Sequence, residues 1–117
     1  MKTLVLGASE NTSRYSNIAI HRLLENGHEV VAVSNKSGEV MGIPFTHVIP
    51  DHAIDTVTMY LNPERQAQYE CAIINLKPRR VIFNPGSEKP SFEKELLSKG
   101  ILVENACTLV LLSTDSY

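Results

Sequence analysis

At 117 residues and 43% hydrophobic, the chain can bury one sizeable core but not two, so a single domain over residues 1–117 is expected. A net charge of −2 with 21% charged residues offers no basic field for nucleic acid, and no apolar run reaches the ~18 residues of a membrane span. Cys71 and Cys107 stand outside any Cys-x-x-Cys or Cys/His cluster, and Met1-Lys2 runs straight into a strand, so a soluble protein of the reducing cytoplasm is expected.

Thr3 to Leu6 reads as a buried strand, Gly7-Ala8-Ser9 as a small-residue turn, and Asn17 to Asn26 as an amphipathic helix with Ile20, Leu23 and Leu24 at i, i+3 and i+4. Gly27 ends that helix because glycine takes the left-handed C-terminal conformation. Glu29 to Val33 forms the second strand and Ser34 to Glu39 a loop, then Gly42-Ile43-Pro44 leads to a short third strand over Thr46 to Ile49, closed by Pro50. Asp55 to Leu61 alternates Val57, Met59 and Leu61 with Thr56, Thr58 and Tyr60, and is expected as the fourth strand, beside the first. Asn62-Pro63 starts a helix, with Ala67, Cys71 and Ile74 as its buried stripe. A charged turn, Lys77-Pro78-Arg79-Arg80, precedes the fifth strand, Arg80 to Phe83, and Asn84-Pro85-Gly86-Ser87 follows it. Ser91 to Lys94 opens a helix whose apolar face is Phe92, Leu96 and Leu97, Gly100 ends it, Ile101 to Glu104 is a sixth strand, and Thr108 to Leu112 a last short helix. Strands alternating with helices demand crossover connections, hence an α/β doubly wound, mainly parallel sheet of about five to six strands with helices on both faces.

Ligands of such sheets lie outside the carboxyl ends of the strands, where the strand order reverses, so four loops should meet there: residues 7–16, 34–38, 61–63 and 84–87. The first lacks the G-x-G-x-x-G fingerprint, since Ser9 and Thr12 stand where further glycines belong. Gly7, Ala8 and Ser9 nevertheless keep the backbone bare, and the hydroxyls of Ser9, Thr12, Ser13 and Ser16 near a helix start suit phosphate oxygens. A plain strand-to-helix turn at Gly7 is the alternative. A helix end contributes only about 0.3–1 kcal/mol to an anion, whereas micromolar binding needs roughly 8 kcal/mol, so neighbouring cations must add to it. Arg14 and Lys36 are placed at that edge, and Tyr15 either stacks on a base, closes over a phosphate or packs into the core. After the second strand, Ser34-Asn35-Lys36 replaces the acid that an NAD ribose wants, which favours a ligand with an extra ribose phosphate, coenzyme A or NADP.

The ordered set V-L-G-A-S (Val5 to Ser9), Arg14-Tyr15-Ser16, Val33-Ser34-Asn35-Lys36, Gly38-Glu39-Val40, Gly42-Ile43-Pro44, Asp55, Asn84-Pro85-Gly86-Ser87-Glu88 and Ala106-Cys107-Thr108-Leu109-Val110 resembles the stand-alone coenzyme A-binding proteins. It is similar to the N-terminal domain of the succinyl-CoA synthetase α subunit. The resemblance implies a Rossmann-like fold with CoA over the first turn. The Gly7 loop and the helix behind it would meet the pyrophosphate and Lys36 the ribose-phosphate end. The Tyr60 to Pro63 turn, with Asn62, and the Asn84, Pro85 and Gly86 turn would meet the adenine or pantetheine. Thr12 stands where that family usually has proline, and Ser34-Asn35 where it has Asn-Pro, which leaves both loops less rigid.

Succinyl-CoA synthetase draws its phosphorylated histidine from a second domain, and nothing in these residues replaces it. His21, His28, His47 and His52 show no metal-ligand spacing and no partner nucleophile, and Cys107 and Cys71 are expected to be buried, inert thiols. Glu93, Lys94 and Glu95 are expected on a solvated helix face. The expected protein is a non-catalytic module for CoA or an acyl-CoA, with no nucleic acid, membrane or metal in its function and an unidentified protein partner allowed. Two alternatives stand beside it: a small NADP-binding oxidoreductase or subunit in which Ser34 and Lys36 hold the 2′-phosphate, and a ligand-free structural or regulatory subunit of the same fold.

Overall fold

Strands covered on both faces need near-continuous apolar runs, and β1 (Lys2–Leu6) supplies one, with Leu4, Val5 and Leu6 wholly buried. In a computed structural model that describes residues 2–51 and 53–117, β1 lies at the centre of a sheet. After it come α1 (Tyr15–Glu25), β2 (Glu29–Val33), β3 (Glu39–Val40), β4 (Ile43–Thr46) and β5 (Thr56–Met59). The chain continues with α2 (Pro63–Gln66), a 3-10 turn (Ala67–Tyr69), α3 (Glu70–Leu76), β6 (Arg80–Phe83), α4 (Pro90–Ser98), β7 (Leu102–Asn105) and α5 (Thr108–Ser113). The sheet has seven strands in the order β3-β4-β2-β1-β5-β6-β7, all parallel except the β3–β4 pair.

The doubly wound, Rossmann-like α/β fold expected from the sequence is present, with helices on both faces. Alternate residues of the strands feed two cores. Leu4, Leu6, Val57, Met59 and Phe83 pack with Ile73 of α3 and with Phe92 and Leu96 of α4, the Phe83 and Phe92 rings meeting edge to face at 6.1 Å. Val5 and Ala32 pack on the other face with Ile20 and Leu23 of α1 and Leu112 of α5.

Three local expectations are corrected. The count rises to seven strands because Glu39–Val40 and Ile43–Thr46 pair as a hairpin across Met41-Gly42, whose φ values of 52° and 78° suit a tight turn, and the strand sought over Thr46 to Ile49 ends at Thr46. The expected strand at Thr56–Met59 does lie beside β1, with Thr56 and Thr58 wholly buried. The 3-10 turn shifts the helical phase, so Gln66, Ile73 and Leu76 are buried while Ala67 and Cys71 are exposed. On α4, Phe92 and Leu96 are buried but Leu97 is 56% exposed.

Arg80 opens β6, as expected, but it is buried in the sheet and not part of a charged surface turn. It is 3% exposed, donates from Nε to Thr56 Oγ1 at 3.0 Å and from Nη1 to Glu104 Oε1 at 3.1 Å, and lies under the ring of Tyr117. Nearby, Asp55 takes a two-pronged contact from Arg79 at 3.0 and 3.1 Å, and that guanidinium holds the carboxyl below its ordinary range. These charges close the amino-terminal edge of the sheet and leave the opposite edge to the loops.

Candidate ligand-binding site

From β1 the chain turns to β2 on one side and later returns to β5 on the other, so the carboxyl ends of β1, β2 and β5 diverge. The gap is a crevice of about 530 Å³, within the range of small-molecule sites. Eleven of the residues singled out from the sequence line it: Gly7, Ala8, Ser9, Arg14, Tyr15 and Ser16 around the start of α1, Ser34, Asn35 and Lys36 after β2, Tyr60 after β5, and Pro85 after β6.

The first turn does its work differently from the sequence expectation. Gly7 has φ +100° and a Cβ there would stand 3.1 Å from Leu61 Cδ2, so its bareness is required by packing against the β5 loop. Its N–H and that of Ala8 both donate to Val33 O, at 2.9 and 3.0 Å, which removes these two amides from any ligand. Gly7 thus serves the strand-to-helix turn while its surface still lines the crevice. Asn17 Nδ2 pins the loop through Ser9 O at 3.0 Å, and Asn11 N and Ser13 N are taken by Ser9 Oγ and Asn11 Oδ1. No side chain caps α1 at Arg14, so the N–H groups of its first residues, with the positive end of the helix dipole, are what the turn offers an anion.

Charge and aromatic surface ring that helix end. Arg14 and Lys36 are exposed at the rim, and Arg65 joins them from α2. The Lys36 backbone is held by its N–H to Ser34 Oγ at 3.1 Å, and His47 Nδ1 donates to Ser34 O at 2.9 Å. Tyr15 is 69% exposed at the mouth, outside the core. Tyr60 turns its phenol inward beside the Thr58 and Thr108 hydroxyls, which bond each other at 2.7 Å, and burial pushes the Tyr60 pKa up to about 12.

Asn62, Pro63, Asn84 and Gly86 do not line the crevice. Asn62 caps α2, its Oδ1 accepting from Arg65 N at 3.0 Å, and Pro63 fills the first helical position. Gly86 N donates to Glu88 Oε1 at 2.8 Å. Asn84 is 3% exposed and fully engaged: Nδ2 donates to Thr58 Oγ1 at 2.7 Å and to Met59 O at 2.9 Å, and Oδ1 accepts from Thr108 N at 2.8 Å. It ties β5, β6 and α5 together behind the wall. Conversely, Glu10, Arg65, Gln68 and Tyr69 line the crevice and were missed. Arg65 was within reach of the sequence, three residues past the Asn62 cap, on a helix whose start faces the site.

His21 is half-buried, and the His28 ring packs 4.9 Å from that of Tyr117. His52 lies outside the described residues. Among the described residues no group of His, Cys, Asp and Glu is gathered for a metal ion, and no helix is long and apolar enough to cross a membrane. Cys107 is half-buried at the start of α5, while Cys71, contrary to expectation, is exposed.

A family model described as a CoA binding domain matches residues 1–113. The crystal structure of an uncharacterized protein superposes with a TM-score of 0.96 at 44% identity, covering 99% of this chain and 97% of that one. A hypothetical protein from Pyrococcus horikoshii OT3 is 26% identical with a TM-score of 0.87, over 96% of this chain and 81% of its own. An acetyl-coenzyme A synthetase of Ca. Korarchaeum cryptofilum, solved with phosphate and ADP, shares the fold at 18% identity and a TM-score of 0.73, over 90% of this chain and 25% of that chain. Among curated proteins nothing matches the chain.

Proposed function

The chain belongs to the CoA binding domain family, and on that premise we propose that it binds coenzyme A or an acyl-CoA in the crevice, as a binding or regulatory module without an active site of its own. The observation that carries the reading is the meeting of three cations from three separate segments, Arg14, Lys36 and Arg65, around one uncapped helix start. A ligand with several phosphoryl groups matches that arrangement better than one with a single charge. The pyrophosphate lies at the first turn of α1, near Arg14 and the Ser16 hydroxyl. Lys36 takes the ribose phosphate as a flexible point charge, and the walls formed by Tyr60 and Pro85 flank the less polar pantetheine arm. The helix end supplies about 0.3–1 kcal/mol, and partly screened ion pairs at an exposed rim add amounts of the same order, so affinity is collected from all three loops. The free cysteines suit a reducing cytoplasm.

Calorimetric titration with CoA, acetyl-CoA, dephospho-CoA, NAD and NADP tests the proposal. Micromolar binding of CoA or acetyl-CoA, weaker binding of dephospho-CoA and flat heats for NAD are expected. Flat heats for CoA and acetyl-CoA, or binding of NADP in preference to both, would refute it.

A further inference from the structure

Facing its cations, the crevice carries one acid among the described residues. Glu10 is an exposed residue of the β1–α1 loop whose side chain reaches to β3. Its Oε2 accepts a hydrogen bond at 3.1 Å from the backbone N–H of Glu39, the first residue of β3. The carboxyl group lies against Gly38, where a Cβ would stand 2.5 Å from Glu10 Cδ and 2.8 Å from Oε1. A glycine at 38 is what lets the acid lie there. Among the described residues that line the crevice, Glu10 is the only one with negative charge, and the backbone it grips follows Lys36 by two and three residues.

We propose that Glu10 determines ligand specificity: its carboxylate occupies the place of the phosphoryl group on the ligand's ribose, and it must leave Gly38 and Glu39 before that group settles beside Lys36. The proposal rests on the CoA reading above. Carboxylate and phosphoryl oxygens are both acceptors for a backbone N–H, and two anions beside one ammonium repel each other. A site open only part of the time binds more weakly by the open fraction, so an exposed hydrogen bond of this kind lowers affinity about 3- to 10-fold. A ligand without the ribose phosphoryl group leaves the contact closed and does not bear that loss. Lys36 attracts the extra phosphate, and Glu10 sets how much of that attraction is realised.

Glu10→Ala and Gly38→Ala break the contact from opposite sides, the second by pushing the carboxyl off its seat. Titrated with CoA and dephospho-CoA, both variants should bind CoA about 3- to 10-fold more tightly than the wild type and dephospho-CoA within about twofold. The Glu39 amide should exchange its proton for deuterium faster in both. Glu10→Gln, which keeps an acceptor but drops the charge, should fall between wild type and Glu10→Ala. Weaker CoA binding in Glu10→Ala, equal gains for both ligands, or an unchanged Glu39 exchange rate each overturn the role of Glu10. Absence of CoA binding in wild type and variants alike overturns the reading of the crevice itself, and is thereby distinguishable.

Discussion

The guanidinium carbon of Arg80 sits 4.5 Å from the centre of the Tyr117 ring, and the Tyr117 hydroxyl is hydrogen-bonded with Thr3 on β1. A buried cation is thereby roofed by an aromatic face and tied to the first strand, at the edge of the sheet remote from the crevice. Tyr117→Leu removes the cation–π contact and the hydrogen bond together. It should cost about 2–4 kcal/mol in urea unfolding, while CoA affinity stays within about twofold because no crevice residue moves.

Lys36→Ala and Arg65→Ala should separate the two ends of the ligand. The first should weaken CoA about tenfold and leave dephospho-CoA nearly unchanged, since only CoA presents a ribose phosphate. Arg65, on the β5 side of the crevice, should weaken both ligands alike when truncated. Parallel titrations read the difference, and a common loss for Lys36→Ala would contradict its assignment.

Asn84→Ala should be strongly destabilising, because it strips a partner from Thr58, Met59 O and Thr108 N inside the protein. A loss of roughly 2–4 kcal/mol is expected from unsatisfied buried groups. Urea midpoints measure it, and a loss under about half a kcal/mol would mean that water enters and replaces the amide.

Titration has a definite sign at each extreme of pH. The Tyr60 phenol is held neutral by burial, its pKa raised from 10.0 to about 12, so the folded state keeps a proton the unfolded chain has released. Its contribution is whole below about pH 10 and is lost as pH rises towards about 12, by roughly 2–3 kcal/mol. The carboxyl of Asp55 is lowered by Arg79, so its contribution is present above the ordinary carboxylate value and fades as acid is added. Phenolate absorbance should show Tyr60 and the similarly buried Tyr117 ionising above the ordinary phenol range, and Tyr60→Phe should flatten the alkaline decline.

Much of the fold was legible because it is written locally. Runs such as Leu4-Val5-Leu6 and Val81-Ile82-Phe83 fix buried strands, and Asn62-Pro63 fixes a helix start, within a few residues each. The β3–β4 hairpin escaped because Met41-Gly42 is not one of the usual turn pairs and its strands are too short for alternation to register. Arg80 looked like a surface charge because the partner that roofs it lies far along the chain, and no window of sequence spans that distance. At the site, the loops could be located but the uses of their atoms could not. The amides of Gly7 and Ala8 are consumed by Val33 O, and Asn84 faces inward, facts settled by neighbours on other strands.

Behind one wall of the crevice stand strands and helix interlocked around Asn84, and beside another stand exposed loops held by a few polar contacts such as Glu10 to Glu39. Mutational drift is penalised on the first and nearly free on the second. On the proposed reading, the choice of ligand can therefore be retuned by editing residues 9–14 and 34–39 without endangering the scaffold that every version must keep.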